Sequence, residues 1–198
     1  MDAVVGGRSV GTSGTVRLLE HLHKNYGKLA WADLFKAPIA LAEKGFAVTP
    51  HMAEQIASSA ESLAKFPTTK AYFLNAEGQP LAAGVTRNNP DYAATLKIIA
   101  EQGAKGFYEG PIAQAIVDTV KNAPETAGSL SLEDLSAYTV KEREVVCMPY
   151  RAYEACGMGA PTSGGLAMAQ ILGMLNNYDL SKSGPDSPDN WRLIGDAT

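Results

Sequence analysis

Gly6–Leu22 reads GGRSVGTSGTVRLLEHL. Four glycines fall in its first nine residues, Thr12 and Ser13 lie between the last two, and an apolar stripe at helical spacing follows. A glycine-rich loop ahead of a helix can aim free N–H groups and the positive end of the helix dipole at a phosphate. A phosphate loop of the G-x-x-x-x-G-K-[ST] type also needs a lysine to reach the phosphates. None of Gly6, Gly7, Gly11 or Gly14 is followed by one. The dinucleotide pattern G-x-G-x-x-G fails too, since no two of these glycines are one residue apart. The stretch therefore reads as a turn into a helix, capped by Ser13 or Thr15, and DAVV before it barely suggests a strand.

Outward from this turn the chain punctuates itself as short helices. Val16, Leu19, Leu22 and Tyr26 fall near one helical face, with Gly27 as the stop. Trp31, Leu34 and Phe35 begin a second helical stretch, which Pro38 breaks or kinks before Ile39–Lys44 continues to Gly45. Thr49-Pro50 is an N-cap followed by proline at the first helical position, and Met52, Ile56 and Leu63 give that helix its buried stripe as far as Phe66-Pro67. Ala71–Gly84, AYFLNAEGQPLAAG, loses helical period and reads as a small hairpin. Asn89-Pro90-Asp91 starts a helix carrying Leu96, Ile99 and Ala100, and Pro111 opens one carrying Ile112, Ile116, Val117 and Val120. NAPETAGS (122–129) is a loop, and Ser131 with Asp134 forms a capping box ahead of Leu135. Arg143–Gly159 is a second hairpin, APTSGG (160–165) turns the chain into a helix from Leu166 to Leu175, and NWRLIGDAT starts one more. The pattern is α+β and mainly helical. Two sections are expected: 6–142, helical with one hairpin, and 143–198, a hairpin and helix. Both ends read as cropped, as if the chain were an internal piece of something longer.

Composition narrows the function. The net charge is −4 with scattered basic residues, which argues against a nucleic-acid surface. No apolar run approaches membrane-spanning length, and MDAVVGGRS has neither a basic nor an apolar leader region. His21 and His23 are two apart on a helix and point apart; His51 opens another helix; surface or helix-end roles are expected for all three. Cys147 and Cys156 lack the paired spacings of a metal site and fall on the two arms of one hairpin. Two buried free thiols are the expectation there, with a disulfide as the alternative in an oxidising compartment. No cofactor or metal is expected. The TSGG at Thr162, Ser163, Gly164 and Gly165 places hydroxyls and N–H groups at a helix start, which suits an anion. Capping by Thr162 or Ser163 with glycines for a tight turn explains the same residues, so they are kept only as pocket-lining candidates.

Five segments in one order resemble the γ-glutamyltranspeptidase family: GGRSVGTSGTVRLLE with YGKLAWADL, PIALAEKGFAVT, GFYEGPIAQAIV, LSLEDLSAYTVKERE, and YRAYEACGMGAPTSGGLAMAQIL. The resemblance covers nearly the whole chain. It implies an N-terminal-nucleophile (Ntn) hydrolase of the αββα sandwich type, made as a precursor that cleaves itself into a large and a small subunit. An N-terminal threonine of the small subunit then attacks a γ-glutamyl amide such as that of glutathione, with its own amine as base. The γ-glutamyl group passes to water or to an amino acid or peptide. On this resemblance the chain is a section of the large subunit, with no catalytic residue of the family mapping onto it. Its partners are the rest of that subunit and the small one, and its compartment is periplasmic or extracellular. The glycine-rich stretch is then a structural turn, and Arg8 lies inside it. The chain departs from the family pattern at Ser13, Val85, Ala160 and Thr162. Two other readings compete: a parent acting on another amide as an acylase of this fold, and a self-sufficient helical binding module.

Overall fold

Local capping chemistry sets most of the helix boundaries. The structure is a computed structural model and describes residues 5–124 and 126–198. The DAVV expectation and Glu125 of the 122–129 loop therefore fall wholly or partly outside the described residues. The chain divides into two compact units, one ending at Val140 and the other Lys141–Thr198.

In the first unit α1 spans Thr15–Tyr26, α2 Lys36–Lys44, α3 Pro50–Leu63, α4 Pro67–Phe73, α5 Pro90–Gln102, α6 Lys105–Tyr108, α7 Gly110–Lys121 and α8 Leu132–Ser136. Short strands β1 (Phe46–Ala47) and β2 (Thr86–Arg87) pair antiparallel, Phe46 opposite Arg87. Thr49 Oγ1 accepts from Met52 N–H at 3.1 Å and Asn89 Oδ1 from Tyr92 N–H at 2.9 Å, so both Xaa-Pro signals mark real helix starts. Ser131 and Asp134 form the full reciprocal capping box. Gly45 ends α2 at φ 89°, a conformation that glycine adopts without steric cost.

Four local expectations need correction. The cap of α1 is Gly14, with no side-chain bond from Ser13 or Thr15. Trp31–Phe35 is a 3₁₀ turn and Pro38 sits in the first turn of α2, where its missing N–H costs nothing. Phe66-Pro67 opens α4 and does not merely close α3. The Ala71–Gly84 hairpin shrinks to one bridge, Leu74 to Pro80, because Ala71–Phe73 finish α4. A tight turn remains there, closed by Asn75 N–H to Gln79 O at 2.8 Å.

Two apolar clusters hold this unit. One gathers Ala104, Tyr108, Ala113, Val117, Val120, Leu130 and Leu135; the other gathers Val48, Ile56 and Leu74, with Met52 and Leu63 partly buried against it. The apolar face of α1 is only partly covered: Val16 packs against the first cluster, while Leu19 is 52% and Tyr26 78% exposed. The glycine-rich stretch does its work through backbone approach. A Cβ on Gly7 would lie 2.2 Å from the Val120 carbonyl oxygen, and one on Gly128 would lie 2.2 Å from the Gly7 carbonyl oxygen. Arg8 N–H donates to Thr126 O and Gly128 N–H to Val120 O across the same crossing.

In the second unit β3 (Val145–Tyr150) and β4 (Tyr153–Met158) form a six-pair antiparallel ribbon, followed by α9 (Gly164–Leu175) and α10 (Pro188–Ala197). The hairpin turn places Arg151 at φ 57°. Its backbone N–H reaches Asn176 Oδ1 at 3.3 Å and its guanidinium reaches Tyr178 O at 2.7 Å, so the turn is tied to the end of α9. The inner face of the ribbon packs on α9 through two glycines. A Cβ on Gly165 would meet the Met158 carbonyl oxygen at 2.2 Å, and one on Gly157 would meet Gly165 Cα at 2.8 Å.

The cysteine expectation is overturned. Cys147 pairs directly with Cys156, their Cα atoms lie 4.1 Å apart, and the two are joined in a disulfide on the exposed face of the ribbon. Strand alternation is the reason: in an even register both side chains point away from α9.

Candidate functional site

Thr162–Gly165 sit where β4 gives way to α9. Thr162, Ser163 and Gly164 are exposed and Gly165 is buried. Thr162 Oγ1 accepts from Gly164 N–H at 3.2 Å, while Thr162 N–H donates to Gly159 O at 3.3 Å. Ser163 is the residue before the helix, makes no side-chain capping bond, and gives its carbonyl to Ala167 N–H at 2.8 Å. One hydroxyl is therefore spent on the turn and the other stands exposed at the helix start. The buried Gly165 serves the contact with Met158, which is a packing role. A concavity of about 640 Å³ in this unit lies further along α9, lined by Gln170, Met174, Asn177 and Ala197.

A charged concavity of the first unit is one that sequence reasoning missed. It holds about 520 Å³ and is lined by Arg17, Glu20, His21, Lys24, Glu109 and Tyr138. Beneath it Tyr108 is fully buried; its hydroxyl donates to Ser13 O and accepts from Arg17 N–H. The Arg17 guanidinium lies 4.3 Å over the Tyr108 ring, and Tyr138 stacks on the same ring at 6.0 Å. Burial, partly countered by Arg17, holds the Tyr108 phenol above its ordinary range. Glu20 Oε1 accepts from Ala104 N–H at 2.9 Å, and Glu20 also pairs with Lys24 at 3.0 Å. Burial alone would raise its carboxyl, but the Ala104 amide, Lys24 and Arg17 outweigh it and keep Glu20 below its ordinary value. No local motif announces this cluster, because Arg17 and Tyr108 are 91 residues apart. Glu20 is paired with Lys24, Glu109 turns to Lys105 at 3.9 Å, and the buried Arg17 Nε has no hydrogen-bond partner among the described residues, so the Arg17–Tyr108–Tyr138 stack reads as a structural brace.

His23 and His51 stand where helix-end roles put them, while His21 is half-buried in the middle of α1 and lines the charged concavity. His23 Nε2 bonds Leu29 O at 2.8 Å, and the His23 ring meets the Trp31 edge, closing the turn after α1. His51 is exposed in the first turn of α3. No helix of the described residues is long and apolar enough to cross a membrane.

The comparisons with known proteins agree with the order of motifs. The Gamma-glutamyltranspeptidase family model matches residues 1–198. The Acylase ACY 1 proenzyme of Pseudomonas sp. (strain V22) is 35% identical over 196 residues, 99% of this chain and 34% of that protein. The glutathione hydrolase proenzyme of Escherichia coli (strain K12) is 34% identical over 94% of this chain and 32% of its own length. The crystal structure of Helicobacter pylori gamma-glutamyltranspeptidase superposes with a TM-score of 0.92 at 34% identity, covering 98% of this chain and 55% of that one. The chain thus spans about a third of the length of the curated relatives it matches. On the whole-length family match, the retained motif order and the backbone similarity, this chain belongs to the gamma-glutamyltranspeptidase family.

Proposed function

We propose that this chain is a section of the large subunit of an enzyme that cleaves γ-glutamyl amides, glutathione among them, and passes the γ-glutamyl group to water or to an amine. The single observation that carries the reading is the family match along all 198 residues, shared with a protein named glutathione hydrolase proenzyme. In the reaction a threonine hydroxyl of the small subunit attacks the amide carbonyl and the amine leaves. A γ-glutamyl ester remains, and water or a second amine resolves it. The nucleophile comes from outside these 198 residues, so the chain by itself is inactive.

Its own residues act as scaffold. The Gly7–Gly128 crossing fixes α7, and the Gly157–Gly165 contact fixes the turn that carries Thr162 and Ser163. Those two residues, with Gly164 and Gly165, line the edge of the substrate pocket once the remaining large subunit and the small subunit are in place. The compartment is periplasmic or extracellular, which suits an exposed disulfide.

A second reading has its own support in the 35% identity to an acylase proenzyme: the parent cleaves a different acyl amide on the same scaffold. Hydrolysis of a γ-glutamyl anilide and of a simple N-acyl anilide, by this chain and by a longer product carrying the downstream segment, separates the readings. Activity on the γ-glutamyl anilide in the longer, self-cleaved product alone is the expected result. Activity on the N-acyl anilide alone moves the assignment to the acylase. Activity in the 198-residue chain overturns the scaffold role, and Ser163→Ala is then the first variant to test. No activity in either product favours the self-sufficient binding module.

A further inference from the structure

We propose that the outer face of the β3–β4 ribbon is a redox-gated metal site: reduction of Cys147–Cys156 by a small-molecule thiol creates a divalent-cation site made of both thiolates and the Glu154 carboxylate. The pairing register puts the three residues together. Cys147 lies opposite Cys156, and Glu154 is two residues back on the same strand, so all three project to one face. Their ligand atoms lie within 4.8 Å of one another, and all three residues are exposed. Among the described residues no hydrogen bond or ion pair engages the Glu154 carboxylate. It is therefore free to bind without breaking an existing contact.

The donor set selects the cation. Two thiolates and one carboxylate suit a borderline-soft ion such as zinc, and three protein ligands leave a fourth tetrahedral position for water. Zinc–sulfur bonds of about 2.3 Å place two thiolates roughly 3.8 Å apart. Side-chain rotation supplies that separation, while the six-pair ladder and the packing of the opposite face on α9 hold the backbone in place. In the oxidised chain both sulfurs are consumed in the bridge, so the metal and the disulfide exclude each other.

The opening step balances. A thiolate attacks one bridge sulfur, the S–S bond breaks, and its electron pair leaves on the other cysteine. A second thiolate attacks the resulting mixed disulfide. It frees the first cysteine and forms one small-molecule disulfide. Two external thiols are oxidised and Cys147 and Cys156 are reduced. The protons of the thiols pass to the two cysteines, and metal binding then releases them to solvent. Exposure of the bridge gives the attacking thiolate its access. The inference is independent of which amide the parent enzyme cleaves.

The test titrates Cd²⁺ and Zn²⁺ into the full 198-residue chain, before and after reduction with a phosphine that does not itself hold these ions. The readouts are the thiolate-to-cadmium charge-transfer absorption and competition with a chromophoric zinc chelator. One ion per reduced chain, none per oxidised chain, and release of the ion when the wild-type chain is reoxidised are the expected results. Cys147→Ser and Cys156→Ser should each remove most of the absorption. Glu154→Gln should weaken affinity about tenfold or more. Two titratable thiols with no charge-transfer band overturn the proposal. So does binding that survives the double serine variant, and so does a Glu154→Gln chain that binds as tightly as the wild type.

Discussion

The two units solve the same problem with different means. Residues up to Val140 bury two apolar clusters, and Tyr108, Ala104, Ala113 and Leu135 are fully shielded from solvent. In Lys141–Thr198 Leu175 is the one buried large apolar residue described, while Tyr153, Met158 and Trp191 are each more than 60% exposed. A unit of that size buries too little surface to be secure by the hydrophobic effect alone. It compensates with tethers: the Cys147–Cys156 bridge, the Arg151 contacts to Asn176 and Tyr178, and the hydrogen bonds of Asn190 to Leu180 and Gly184 that staple the loop before α10. Glycine does the same service in both. At Gly7–Gly128 and at Gly157–Gly165 the missing Cβ lets backbone touch backbone, once inside a core and once beneath a ribbon.

Filling those gaps should cost the most. Gly7→Ala drives a methyl into the Val120 carbonyl and the Gly128 amide, neither of which can yield without opening the crossing. The expected loss is about 3 kcal/mol or more, read from the denaturant midpoint of the first unit. Gly165→Ala makes the equivalent clash with the Met158 carbonyl, and its damage should be confined to amides of residues 141–198 in hydrogen exchange. Loss of protection in α7 from Gly165→Ala would mean that the two glycine contacts do not act independently.

Next comes the bridge. Reducing Cys147–Cys156 reopens a loop with a sequence separation of 9, worth about 2–3 kcal/mol on the chain-entropy account. Exchange should accelerate in β3, β4 and α9 and stay unchanged in α5 and α7. Equal acceleration in both units would mean that the second has no dependence of its own on the tether.

The smallest effect is acid sensitivity at the Tyr108 brace. Glu20 is held below its ordinary value of 4.5 in the folded chain. A carboxyl lowered on folding contributes stability that is present above the unfolded value and lost as pH falls through the folded one. Denaturant unfolding followed by circular dichroism should therefore become easier below about pH 4.5, and Glu20→Gln should flatten that acid limb. An acid limb unchanged in Glu20→Gln would remove Glu20 from the account.

Much of the helix map was legible because caps act locally. Thr49-Pro50, Asn89-Pro90 and the Ser131/Asp134 box each state a boundary within four residues, and each is found as read. Where two local signals competed, the reading failed: the aromatic run at Ala71–Phe73 looks like strand, yet Pro67 starts a helix that runs through it. The apolar face of α1 marks a different limit. Periodicity identifies an apolar stripe but does not say what covers it, and Leu19, Leu22 and Tyr26 remain exposed. At Thr162–Gly165 the turn and helix start were legible, and the division of labour was not. That Thr162 bonds Gly164, that Ser163 caps nothing, and that Gly165 exists for Met158 depends on how β4 meets α9.

By itself the sequence determined the family, the helix starts at Thr49, Asn89 and Ser131, and the second hairpin, since motif order, capping residues and strand alternation are properties of near neighbours along the chain. Only the tertiary structure decided that Gly7 belongs to Gly128, that Arg17 lies on Tyr108, and that Cys147 and Cys156 share a bond on an exposed face. Those facts join residues 9 to 121 positions apart or set which side of an element meets solvent. Contact across such distances is fixed by packing and register, which no local preference encodes.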